Sequence, residues 1–107
     1  MNDLVFKKAK NYIRHNHLYI NEDENEVILL GYVLNMTNME YAILRALAES
    51  CKKPLSLDEI SKATGLYLTN STLSYHVFRI NEKAKAIGGR PLIKNIVKIG
   101  YFLNKEM

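Results

Sequence analysis

The chain has no tryptophan, two prolines, five glycines and a single cysteine among its 107 residues. One thiol excludes a disulfide within the monomer. Cys51, beside Lys52 and Lys53, suits a reducing compartment better than a secreted scaffold. No local spacing gives it a histidine partner, so it reads as an inert loop or helix-end residue. Long apolar runs are also missing. The longest, Val27–Leu30 and Tyr32–Leu34 around Gly31, fall far short of the ~20 residues of a membrane span. Phe6 is followed by charges where a secretory leader would stay apolar, so a cytoplasmic location is expected. Catalytic signatures are absent as well: there is no Gly-rich phosphate loop, no Ser-His-Asp order and no metal-ligand spacing. His15 and His17 would share a strand face, but no third ligand stands near them. The expectation is a protein that is not an enzyme and carries no cofactor or metal.

What is present is a core and a charge gradient. With 48% hydrophobic residues, a chain of this size can bury about 65% of its unfolded surface around a single core. One domain over residues 1–107 is expected, with 1–11 a possible N-terminal extension or linker. Residues 61–107 hold Lys62, Arg79, Lys83, Lys85, Arg90, Lys94, Lys98 and Lys105 against Glu82 and Glu106, a net charge of +6. Residues 21–60 run the other way at −5, and the first twenty contribute +3. Such polarity suits a face built to meet an anion.

The pattern of elements is readable from His17 onward. Leu18-Tyr19-Ile20 and Val27 to Leu30 flank an acidic, turn-rich Asn21 to Asn25, and Tyr32-Val33-Leu34 follows Gly31, which together predict a small antiparallel sheet. Residues 1–17 stay ambiguous: Leu4, Val5, Ala9, Tyr12 and Ile13 fit a short helix, while Tyr12 to Arg14 fit a strand. Thr37 with Glu40, and Ser56 with Glu59, each have the spacing of a capping box, and Met36/Tyr41 and Leu55/Ile60 stand where hydrophobic staples would. The first helix should run to about Glu49, burying Tyr41, Leu44, Leu47 and Ala48. The second spans Leu57 to about Thr64, ending at Gly65. Pro54 forbids joining them. A third helix opens at Asn70 or Ser71 and runs to about Ala86 or Ile87, with Leu73, Val77, Ile80 and Ala84 as its core stripe. After Pro91, Leu92 to Ile96 and Gly100 to Leu103 are strand-like, joined by Val97-Lys98-Ile99.

Sheet, helix, short helix, long helix and terminal hairpin describe an α+β winged helix-turn-helix. Three segments resemble the OmpR/PhoB-type DNA-binding effector domain of bacterial transcriptional regulators. TNMEYAILRAL, Thr37 to Leu47, is similar to that family's opening helix, T-x-x-E-[FY]-x-[LI]-L-x-x-L. STLSYHVFRI, Ser71 to Ile80, resembles its recognition-helix pattern R-T-V-D-V-H-I-x-R-L, with Thr72, His76 and Arg79 identical. PLIKNIVKIGYFL, Pro91 to Leu103, resembles its closing hairpin. The resemblance covers roughly residues 12–104. It departs from the family where LSLDEISKATG lacks the usual Trp, where Ser71 and Asn81 replace Arg, and where Val97-Lys98 replaces the wing's Arg-Gly.

The resemblance implies double-stranded DNA as partner, with the 71–87 helix in the major groove and the 92–103 wing on the adjacent backbone or minor groove. Arg79 is the expected base reader, because its fork can pair with guanine O6 and N7. Ser71, Thr72, Ser74 and Tyr75 are expected at the DNA surface, and His76 as a phosphate ligand or a structural histidine. Lys83, Lys94 and Lys98 are the expected phosphate partners. The family further implies homodimers on repeated half-sites, a possible contact with RNA polymerase, and in its commonest architecture a receiver domain, for which 107 residues leave no room. A standalone regulator, a fragment or the N-terminal part of a longer protein is expected. Two alternatives stay open: an ArsR/MarR-like repressor, and a protein-interaction module that docks through Tyr75, Phe78 and the sheet without binding DNA.

Overall fold

The computed structural model describes residues 11–50 and 53–104. The possible helix over Leu4, Val5 and Ala9, and the reading of Cys51, lie outside them. Among the described residues, four short strands come first: β1 (Tyr12–His15), β2 (Leu18–Asn21), β3 (Glu26–Leu29) and β4 (Tyr32–Leu34). They form an antiparallel meander in sequence order, which resolves the ambiguity at Tyr12 in favour of a strand. Ile13 pairs with Ile20, Ile20 with Val27, and Val27 with Leu34, so one row of apolar side chains crosses the sheet and faces the core. The turns explain the register. Asn21 is buried, and its side-chain oxygen accepts from the amides of Asp23 at 3.0 Å and Glu24 at 3.3 Å, bending the acidic loop back on itself. Leu30 and Gly31, both at positive φ, form the two-residue hairpin turn that matches strand twist.

Three helices follow among the described residues: α1 (Asn38–Glu49), α2 (Leu57–Thr64) and α3 (Asn70–Ala86). Both expected capping boxes form. Thr37 and Ser56 each accept from the amide three residues on, and Glu40 and Glu59 reach back to the cap amides at 3.0 and 2.9 Å. These bonds, the backbone one foremost, hold the Glu59 carboxyl below its ordinary range. Ile43, Leu44, Leu47 and Ala48 of α1 are buried. Tyr41 is only half-buried, yet its hydroxyl is enclosed and has no hydrogen-bond partner among the described residues, and burial raises its pKa.

The core lies between the sheet and the helices. Leu18, Ile20, Val27 and Leu29 meet the buried faces of α1, Ile60 of α2, and all four residues of the expected α3 stripe, Leu73, Val77, Ile80 and Ala84. Removing such side chains from water contributes roughly 1.5–3 kcal/mol apiece, which is why these helices and the meander hold together without a staple. His15 adds a polar tie. Its Nε2 lies 3.0 Å from the carbonyl oxygen of Ala48, and because a carbonyl only accepts, that nitrogen carries the proton. His17, in the turn beyond, does not share this role. The chain closes with a hairpin, β5 (Ile93–Ile96) and β6 (Gly100–Leu103), whose base is buried through Leu92, Ile93 and Leu103.

Candidate nucleic-acid interface

The third helix opens at Asn70, within the expected start, and Thr69 is its cap. Its hydroxyl accepts from the amide of Thr72 at 3.2 Å, while its own amide donates to the Thr72 hydroxyl at 2.9 Å. Thr72 thus plays the part that Glu40 and Glu59 play elsewhere, and its hydroxyl also donates to the Thr69 carbonyl at 3.1 Å. Ser71 joins the same cluster, 3.3 Å from the Thr69 hydroxyl. With no acidic residue in the first turn and Lys83 and Lys85 in the last, nothing on the helix itself neutralises the positive end of its dipole.

Beyond the cap, α3 presents Ser71, Thr72, Ser74, Tyr75, Phe78 and Arg79 to solvent, opposite the buried stripe. Tyr75 and Phe78 are 59% and 58% exposed. His76 is half-buried, and its ring meets the Tyr75 ring edge-on at 5.6 Å. Arg79 is exposed and forms no ion pair among the described residues, and the Glu40 carboxylate is held by Lys83. The Lys83 ammonium bonds both the Glu40 carboxylate and, at 2.6 Å, the carbonyl of Asn35. Of the lysines expected to meet phosphate, this one is thus engaged inside the fold. Burial alone would raise the Glu40 pKa, but the Lys83 hydrogen bond, the Thr37 amide and the charges of Lys83 and Arg79 outweigh it and leave the carboxyl below its ordinary value.

The wing stands beside α3. Lys94 on β5 and Lys98 in the turn are exposed, with Lys98 in the left-handed region at φ 67°. The tip between and around them is apolar: Val97 is 77% and Ile99 59% exposed. Two joints fix the base. Tyr101 donates its amide to Leu55 O at 2.9 Å and accepts from the Leu55 amide at 2.8 Å, tying β6 to the segment that enters α2. A side chain at Gly100 would place its Cβ 2.3 Å from Leu55 O, so only glycine lets the two backbones approach this closely. Against α3, the Ser74 hydroxyl lies 3.3 Å from the Tyr101 hydroxyl, and the Asn81 carboxamide bonds both backbone groups of Ile93.

Three structural contributors escaped the sequence reading. Thr69 is a cap whose third residue is a hydroxyl, not the carboxylate or amide of the usual signature. Tyr101 and Asn81 act only across 27 and 12 residues of sequence, a distance at which no local pattern signals a partner.

A helical pair with a projecting second helix and a hairpin beside it is a winged helix-turn-helix. Neither a protein-family model nor a curated protein matches the sequence. Among solved structures, the fold is shared with the DNA-binding domain of the response regulator AdeR in complex with an intercistronic region, at TM-score 0.76 and 22% identity over 85% of this chain and 96% of that one. It is shared with the RstA DNA-binding domain of Klebsiella pneumoniae in complex with the RstA box, at TM-score 0.73 and 18% identity over 89% and 98%. It also matches the response regulator DrrB of Thermotoga maritima, an OmpR/PhoB homolog, at TM-score 0.73 and 21% identity, covering 94% of this chain and 48% of DrrB. The fold is thus the winged helix-turn-helix expected from the order of elements in the sequence. Among the described residues, no helix is long and apolar enough to cross a membrane.

Proposed function

We propose that this chain is a double-stranded DNA-binding domain of a transcriptional regulator, a binding module and not a catalyst. Its 71–87 helix enters the major groove and its 92–103 wing lies along the neighbouring backbone or minor groove. The observation that carries this reading is the exposed, unburied face of α3 around Arg79, set beside the wing, in a fold shared with two domains solved on DNA. Arg79 reads a base edge, Ser71, Ser74 and Tyr75 contact the duplex beside it, and Lys94 and Lys98 meet phosphate. Thr72 supports the reader through its cap, and His76 steadies Tyr75. Lys83 contributes little to phosphate contact, because Glu40 already holds its charge. From the family resemblance the reading extends to two copies on repeated half-sites, a contact with RNA polymerase and a cytoplasmic location.

Anisotropy titrations test it. Arg79→Ala should lower discrimination between a selected duplex and random DNA by about 10-fold, the worth of one bidentate base contact. The slope of log affinity against log salt should fall by about 0.9 for each of Lys94 and Lys98 replaced by Ala. An Arg79→Ala variant indistinguishable from the parent on both duplexes would remove Arg79 from the role. The exposed Tyr75 and Phe78 support the rival reading, a protein-docking face. Amide shifts confined to α3 and the wing on adding duplex favour DNA; no shift at all favours the rival.

A further inference from the structure

A two-stranded ribbon leaves open edges, and one edge of the wing is closed by a side chain. In an antiparallel pair, a residue points its N–H and C=O both toward the neighbouring strand or both away, in alternation. The amide of Asn104 donates across the ribbon to Leu92 O at 2.8 Å. The next residue, Ile93, paired with Leu103, therefore turns both backbone groups outward. Ile93 N–H donates to Asn81 Oδ1 at 2.9 Å, and Asn81 Nδ2 donates to Ile93 O at 3.0 Å. Only Oδ1 can accept and only Nδ2 can donate, so the pair of bonds fixes the orientation of the carboxamide. It stands in for the peptide group of a third strand.

Asn81 lies seven residues past Ser74 on α3, about two turns and ~10 Å along the axis. Both side chains therefore leave the helix on one side. Ser74 meets Tyr101 of β6, and Asn81 meets Ile93 of β5. The backbone bridge to Leu55 ties β6 to the entry of α2; the two attachments to α3, two turns apart and one to each strand, fix the tilt of the hairpin against that helix.

We infer that Asn81 is a positioning residue that sets the angle of the wing to α3, so that helix and hairpin engage a duplex as one rigid reader. The inference rests on the DNA-binding reading. When the two contacts are rigidly linked, the second forms at high effective concentration once the first is made; a hinged wing must be ordered at the moment of binding, which weakens the complex.

Asn81→Leu keeps the approximate shape and removes both bonds. Asn81→Asp keeps the acceptor as a carboxylate, and only its neutral acid regains a donor toward Ile93 O. Hydrogen exchange on the free, full chain is the first measurement. Asn81→Leu should lose about 10-fold or more of the Ile93 amide protection while Ile20 stays protected, showing that the core is intact. Asn81→Asp should keep more of the Ile93 protection than Asn81→Leu, because its carboxylate still accepts from that amide while the donor to Ile93 O is gone. The second measurement compares a long duplex with one that ends beneath α3 and offers the wing nothing. Asn81→Leu should bind the long duplex about 10-fold more weakly and the short one within about twofold of the parent. Equal losses on both duplexes, unchanged Ile93 protection in Asn81→Leu, or an aspartate variant no better protected than the leucine one would overturn the inference. Parent protein that binds neither duplex would overturn the DNA reading and the rigid reader with it, while the exchange data still decide whether Asn81 clamps the wing.

Discussion

The two sheets of this molecule are held in place by different means. The β1–β4 meander is anchored by burial: Leu18, Ile20, Val27 and Leu29 are each at most 1% exposed and pack directly on the helices. The β5–β6 wing buries little beyond Ile93 and Leu103. Its tip is open, and it is located by directed bonds to Leu55, Ser74 and Asn81. Hydrophobic contact is strong but indifferent to angle, whereas hydrogen bonds contribute about 1 kcal/mol each and are demanding in direction. One sheet is secured; the other is aimed.

That contrast can be broken by mutation. Ile20→Ala should cost about 3 kcal/mol of global stability, read as a lower urea midpoint with an unchanged slope; a loss confined to the meander would deny it a place in the common core. Gly100→Ala should cost about 2 kcal/mol, with raised hydrogen exchange at Leu55 and Tyr101 before any other region; uniform weakening would mean that the wing is part of the core after all. A polar joint also exists on the helical side, where Glu40 and Lys83 link α1 to α3. Glu40→Gln should cost about 1–2 kcal/mol near neutral pH. Because the folded carboxyl titrates below its ordinary value of about 4.3, this pairing stabilises the fold above that range and is lost as pH falls through the folded value. The gap between parent and variant should therefore close on acidification, which urea titrations at a series of pH values will show. Smallest of all, Val97→Ser at the open tip should change stability by no more than about 0.5 kcal/mol.

The same contrast explains what could be read in the sequence. Burial writes itself locally: the spacing of Leu73, Val77, Ile80 and Ala84 predicted the inner face of α3, and the Thr37/Glu40 and Ser56/Glu59 signatures located two helix starts. Aiming does not. Asn81 looked only like a missing arginine, and its amide is informative once Ile93 is beside it. Lys83 reads as a free phosphate ligand because Glu40 lies forty-three residues earlier, beyond any local pattern; that carboxylate both caps α1 and binds Lys83. Tyr12 was ambiguous since a four-residue strand with alternating exposure looks much like one face of a helix until β2 pairs with it. At the candidate site, the exposed face of α3 was legible from its periodicity, and the wing's position against it was not.

The two attachments of the sheets also differ in time. The meander is built from neighbouring hairpins; the Leu30 amide, for example, bonds His17 O across thirteen residues. The bond from the Tyr101 amide to Leu55 O spans forty-six. Longer loops close at greater entropic cost and later in folding, so pulse-labelled refolding should protect the Leu30 amide before that of Tyr101. A chain caught partway would then have its hydrophobic centre assembled and its hairpin still unaimed, and the surface proposed to meet DNA would be the last part of the molecule to come into being.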